Sequence, residues 1–198
     1  MSEYEKNDLE KVLAAHTAPA LLGVKCANLV SVAINKKTVT EYLAATAENA
    51  AAHGLKMVRL CQCRERTLVY VYHEKLLKAW LDAKDMKEFL MNRGYPKNGS
   101  VKEMLDVLAS RMNCGNFPHE IGAFLGYPLE DIRGFIHNRG RNCLLCGPWK
   151  VYSDVEHARE LFRKYDRCRE LLCNGMGQGL DLFQALSLSS GDPELKTD

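Results

Sequence analysis

Lys56-Met-Val-Arg-Leu-Cys-Gln-Cys63 and Thr67-Leu-Val-Tyr-Val-Tyr-His73, separated by the charged turn Arg64-Glu-Arg66, decide the fold class. Both runs are rich in β-branched or aromatic residues, and a short charged turn between two such runs predicts an antiparallel hairpin. Upstream, Asn-Leu-Val-Ser-Val-Ala-Ile at 28–34 reads as a further strand. The Ala-rich run 38–53 reads as a helix closed by Gly54. A first helix is expected over 3–15, with Leu9, Val12 and Leu13 on one face, broken afterwards by Pro19 and Gly23.

Downstream of the hairpin the pattern turns helical, over 74–83, 85–93 and 100–112. Gly94-Tyr-Pro96 and Gly126-Tyr-Pro128 each end one helix and precede another, which reads as the same punctuation used twice and more weakly as a repeat. Trp149-Lys-Val-Tyr-Ser153 is a short strand, and Asp154 caps a helix running to about residue 173. A last helix is expected over 180–188, and 189–198 reads as a disordered tail. The sum is α+β: a small, partly antiparallel sheet covered by helices, in a single domain over 1–188.

The 198 residues are enough to bury a core without disulfides or metal, since a chain of this size buries roughly 70% of its unfolded surface. A net charge of +2 gives no reason to expect a nucleic-acid partner. The acidic, polar start is unlike a secretory signal, and no run approaches the length of a membrane span, so cytoplasm is the expected compartment. There the eight cysteines should be thiols or ligands rather than structural disulfides.

Phe117-Pro-His-Glu-Ile-Gly122 and the residues that follow carry the candidate chemistry. His119 is the candidate acid–base group or axial ligand, with Glu120 beside it. A cap at Asn116 would put Glu120 in a first helical turn, where the helix dipole alone accounts for it. No second His stands at position 123, which is Ala123, so the zinc-protease pattern fails.

From Ile132 to Ser153 there is no acidic residue, while Arg133, His137, Arg139, Arg141 and Lys150 are all present among glycines. Such a loop suits phosphate or carboxylate groups, or else is a solvated loop balanced by its surroundings. Inside it, Cys143-Leu-Leu-Cys146 has the spacing of a metal-ligand or thiol-redox pair, and of two cysteines that only pack. Gly175-Met-Gly-Gln-Gly179 follows a helix rather than a strand, so it reads as a helix end and not a phosphate loop. Tyr70 and Tyr72 share one strand face and either stack on a ligand or pack in the core.

Four stretches resemble domain-of-unknown-function family 3793, small cytosolic proteins of anaerobic Gram-positive bacteria. They are His16-Thr-Ala-Pro-Ala-Leu-Leu-Gly-Val-Lys25 with Asn28-Leu29; Phe117 to Gly122 with Phe124-Leu-Gly-Tyr-Pro128; Glu130-Asp-Ile-Arg-Gly-Phe-Ile136 through Gly140; and Trp149-Lys-Val-Tyr152. Where the family often shows Cys-Ala-Pro-Thr, this chain has Thr17-Ala-Pro-Ala20, so no thiol stands at position 17. The resemblance implies no reaction. It implies an association with iron-related and flavodoxin-type functions, and so leans toward a redox, haem or iron role.

The expectation is a protein that binds a small anionic ligand, with a flavin, haem-like or phosphate-bearing cofactor as the concrete classes. Arg139, Arg141, Lys150 and Lys25 would hold anionic groups and Tyr127 would form a stacking wall, with His119 as the reactive group. The alternatives are a module that docks an acidic redox partner such as an electron carrier, and a metal ion held by Cys143 and Cys146.

Overall fold

A computed structural model describes residues 1–63, 66–112 and 117–195, with the side chains of 61–63 left aside. The chain is α+β, as the sequence implied: a three-stranded antiparallel sheet, a two-stranded ribbon and ten helices among the described residues. It divides into two compact units, 1–74 with 164–198 and 75–163.

The first unit holds α1 (Glu3–Leu21), β1 (Ala27–Val32), α2 (Lys36–Ala45), α3 (Ala47–Ala52), β2 (Leu55–Cys63) and β3 (Arg66–His73). The expected hairpin is β2–β3, with Val58 opposite Tyr70 and Lys56 opposite Tyr72. The outer residues of its turn, Arg64 and Glu65, lie outside the described residues. β1 pairs with the other edge of β3, Val30 opposite Val69, which gives the order β1-β3-β2. A central strand needs apolar residues on both faces, and β3 is buried from Thr67 to Tyr72. Val69 and Val71 join Leu9 and Leu13 of α1 in the core. Tyr70 and Tyr72 occupy the opposite face, buried, with their rings 5.3 Å apart. Core packing is thus the use made of these two rings.

Pro19 does not break the first helix, which continues to Leu21 with the proline inside it. A proline supplies no N–H to the carbonyl four residues back, here that of Ala15. Arg169 supplies the missing donor, its Nε lying 3.0 Å from the Ala15 oxygen. The next N–H, of Ala20, is taken by Asn28 Oδ1 at 3.1 Å. The Pro19 irregularity is therefore satisfied from outside the helix, by a donor on Arg169 for the Ala15 carbonyl and an acceptor on Asn28 for the Ala20 amide. The helix expected over 38–53 is two helices instead. At Thr46 the side-chain hydroxyl donates to the Tyr42 carbonyl at 2.8 Å and the backbone leaves helical geometry.

The second unit holds α4 from Lys75 onward (Glu74–Asp82), α5 (Lys84–Met91), α6 (Val101–Arg111), α7 (Ile121–Phe124), α8 (Leu129–His137) and the ribbon β4–β5 (Leu145–Cys146, Lys150–Val151). The two Gly-Tyr-Pro stretches are the same helix end built twice. Tyr95 N donates to Leu90 O and Gly94 N to Met91 O; Tyr127 N donates to Gly122 O and Gly126 N to Ala123 O. Gly94 and Gly126 stand at φ +80° and +68°, the left-handed region that this closure requires.

α9 (Val155–Gly177) has residues in both units and runs past the expected end near 173. Asp154 accepts from His157 N at its start, as a helix cap. Its end is a helix cap at Gly179 (φ +90°), so Gly175–Gly179 is no phosphate loop. α10 (Leu182–Ser189) opens on a capping box, Asp181 with Gln184. Of the stretch expected to be a disordered tail, residues 193–195 form a 3-10 turn, Leu195 is buried in the core and Asp192 pairs with Arg167 at 2.9 Å; 196–198 lie outside the described residues.

Candidate functional site

Within the second unit a cavity of about 480 Å³ lies between the segment 117–135 and the ribbon at 146–150. Two ring pairs line it. His119 and Phe135 have centroids 5.6 Å apart, and Tyr127 stacks on Trp149 at 5.3 Å and 25°. Ile121 and Ile132 add apolar wall, and Phe117, 45% exposed, stands at the edge. Cys146 and Lys150, directly opposite each other in the β4–β5 register, complete the lining.

The hairpin that carries this wall is positioned by Asp131. This carboxylate is buried and accepts four hydrogen bonds: Trp149 Nε1 at 2.7 Å, Tyr152 N at 2.8 Å, Ser153 N at 3.0 Å and Ser153 Oγ at 2.8 Å. α8 approaches the ribbon closely because residue 134 is glycine. A Cβ there would stand 2.5 Å from Tyr152 Cβ. Gly147 makes a similar approach, its absent Cβ lying 2.3 Å from the Phe162 ring.

Among the described residues the lining carries one cation, Lys150, and one carboxylate, Asp131. Lys150 Nζ donates to Gly140 O at 2.6 Å, lies 6.0 Å from the Phe135 centroid, and has no carboxylate within ion-pair distance among the described residues. Asp131 is the one acid in the lining among the described residues, and both its oxygens are engaged. Tyr127 donates its hydroxyl to Pro148 O at 3.3 Å, and burial pushes its phenol up to about 12. It therefore stays neutral at physiological pH.

Of the residues singled out in the sequence, His119, Tyr127, Cys146 and Lys150 come together in this cavity. Arg139, Arg141 and Cys143 stand close in sequence but do not line it, and both arginines are exposed. Glu120 stands just before a helix rather than in its first turn. It is buried, it ion-pairs with Arg111 at 2.9 Å, and Tyr95 OH donates to it at 3.4 Å. Helix α7 is a single turn that begins after Glu120, and Glu120 caps nothing with its side chain. Asn116, the expected cap, lies outside the described residues.

Lys25 belongs to the first unit, 6% exposed, its ammonium 5.6 Å from the Tyr165 ring centroid. Burial lowers its pKa to about 8, and it takes no part in the cavity lining. Cys143 and Cys146 are free thiols, and among the described residues no group of three or more His, Cys, Asp or Glu is placed to hold a metal ion. The side chains of Cys61 and Cys63, and Cys114 altogether, lie outside the described residues.

Asp131, Phe135 and Trp149 escaped the sequence reading as site residues. A carboxylate in a first helical turn is explained by the helix dipole, and only the indole eighteen residues later reveals its second use.

No curated protein and no solved structure matches the chain. No helix among the described residues is long and apolar enough to cross a membrane. A family model described as "Protein of unknown function (DUF3793)" matches residues 13–186, and the chain belongs to that family.

Proposed function

We propose that the cavity between 117–135 and 146–150 binds a planar, anionic small molecule, with a flavin, a haem-like tetrapyrrole or another phosphate- or carboxylate-bearing ring as the chemical classes. One arrangement carries this reading: two aromatic pairs and the Lys150 ammonium line a single apolar cavity in which, among the described residues, the only carboxylate is already engaged. Flat conjugated rings gain by stacking on such walls, and a fixed cation selects the sign of the ligand's charged end. The volume lies within the range of small-molecule sites, roughly 300–1,000 Å³. His119, exposed at the lining, is the group placed to donate or accept a proton or to ligate. A redox or iron-related role is the natural extension, since the thiol of Cys146 stands in the same wall. The five described cysteines are free thiols, which suits a cytoplasmic protein.

The chain has two tryptophans, Trp80 and Trp149, so Trp80→Phe leaves the cavity wall as the sole indole emitter. Titrating this variant with flavin mononucleotide and, separately, with haemin should give saturable quenching for at least one, weakened about tenfold or more by Lys150→Glu. Emission that no planar anion quenches saturably, or quenching equal in the Lys150→Glu form, would overturn the proposal.

A further inference from the structure

The loop that leaves α8 is basic and held by hydrogen bonds to its own frame. Arg139 and Asn142 stand at φ +51° and +56°, left-handed positions that non-glycine residues seldom adopt. The loop holds them by Gly140 N to Phe135 O at 2.9 Å, Arg141 N to Asn138 O at 3.0 Å and Lys150 Nζ to Gly140 O at 2.6 Å. From this frame Arg139 and Arg141 project into solvent, with no ion-pair partner among the described residues. Leu144 is 64% exposed beside them. An exposed leucine preceded by two exposed arginines on a hydrogen-bonded loop has the composition of an interface rather than of a solvated turn.

At the other end of α8 the same unit carries the complementary shape. A groove of about 400 Å³ has an apolar floor of Trp80, Met86, Leu129 and Ala158. Asp85, Glu130 and Asp154 rim it, all exposed. Asp85 and Glu130 have no ion-pair partner among the described residues. The same unit thus carries a loop with two exposed arginines and an exposed leucine, and a groove with three exposed carboxylates at an apolar hollow.

We propose that this groove is the seat of the 139–144 loop of a second copy, so that the protein associates head-to-tail. Leu144 fills the hollow over Trp80 and Met86, and Arg139 and Arg141 pair with Asp85, Glu130 and Asp154. The two patches differ, so the contact is heterologous: a bound pair leaves one loop and one groove free between its two copies, and the assembly grows as a chain or closes as a ring. The charge pairs make the association strong at low salt and weak at high salt.

Sedimentation velocity in reductant tests this with the full chain. The expected mass average rises with protein concentration at low ionic strength and falls toward the monomer as salt is added. Arg139→Gln with Arg141→Gln removes the loop's charges, and Asp85→Asn with Glu130→Asn removes those of the groove. Each double variant should weaken association about tenfold or more. Each retains one intact face, so a one-to-one mixture should give a complex that stops at two copies. Circular dichroism of both variants checks that they fold. A wild-type chain that stays monomeric at low salt and high concentration overturns the proposal, and leaves the loop to an acidic protein of another kind. Oligomers unchanged by both folded variants overturn it too.

Discussion

The Trp149 indole donates to Asp131 Oδ2 at 2.7 Å, while the other oxygen of Asp131 takes the N–H groups of Tyr152 and Ser153 and the Ser153 hydroxyl. One buried carboxylate from the first turn of α8 thereby fixes the ring that forms a wall of the cavity and the chain that follows it. Removing it strands several donors. Asp131→Ala should cost about 3–5 kcal/mol, the range for breaking a buried, charge-assisted cluster on one side. Urea unfolding gives the stability, and near-ultraviolet dichroism follows the tryptophans. A loss under about 1 kcal/mol with an unchanged spectrum would show that the hairpin holds its shape without Asp131.

Gly134 sets two effects against each other. Alanine in a helix interior is favoured over glycine by about 1 kcal/mol. Here the new methyl would stand 2.5 Å from Tyr152 Cβ and Cγ, an overlap that only a shift of α8 or of the chain after β5 relieves. Overpacking of that kind costs about 1–3 kcal/mol, so Gly134→Ala should destabilise, and ligand binding in the cavity should fall with it. A higher melting temperature in the variant would refute the close-packing account.

Pro19 and Arg169 should be coupled. Arg169→Met keeps the aliphatic stem and deletes the donor to Ala15 O, at a cost of about 1 kcal/mol. In a Pro19→Ala background the helix regains its own N–H at that position, so the same arginine change should cost little. A double-mutant cycle in urea reads the difference as a coupling energy near 1 kcal/mol. Strict additivity would mean that Arg169 does not serve the Pro19 carbonyl gap.

His73 gives the protein a pH dependence of known sign. Its ring lies against Gly23 and Gly54, each at positive φ, and Cβ atoms there would stand 3.5 and 3.4 Å from its nitrogens. Burial holds its pKa below the ordinary imidazole value, against the opposing pull of the Ala20 and Gly54 carbonyls. The folded state thus prefers the neutral ring. Stability from this residue is present above the unfolded value, about 6.5, and is lost as pH falls below it. Melting temperatures at pH 7.5 and 5.5 should drop further in the wild type than in His73→Gln. Equal drops would exclude His73 as the source.

The hairpin was readable because β-branched and aromatic runs flanking a charged turn have no good helical alternative, and its helical cover followed from apolar spacing. Pro19 was misread for a physical reason. Whether a helix survives a proline depends on who supplies the lost hydrogen bond, and Arg169 lies 154 residues from Ala15. Thr46 was missed because its break is a local side-chain competition inside an otherwise strong helical run. At the candidate site, proximity in sequence brought His119, Tyr127, Cys146 and Lys150 into one cavity. The same proximity misled for Glu120, whose neighbour His119 lines the cavity while its own carboxylate turns to Arg111. Side-chain direction over one residue of irregular chain is a tertiary property, and no spacing rule supplies it.

The strand order β1-β3-β2 also bears on how the first unit assembles in time. β2 and β3 close on each other across a two-residue gap, whereas Ala27 must find Tyr72 across α2 and α3. Short closure is the faster event, on the order of microseconds for a hairpin, so the β2–β3 ribbon is expected to precede the arrival of β1. β1 does not arrive alone, because Asn28 already ties it to the end of α1 through the Ala20 amide. The slow step is then the docking of a helix–strand corner onto a formed ribbon. Val30→Ala should mainly speed unfolding, and Val58→Ala should mainly slow folding. The reverse pattern in stopped-flow kinetics would invert this order.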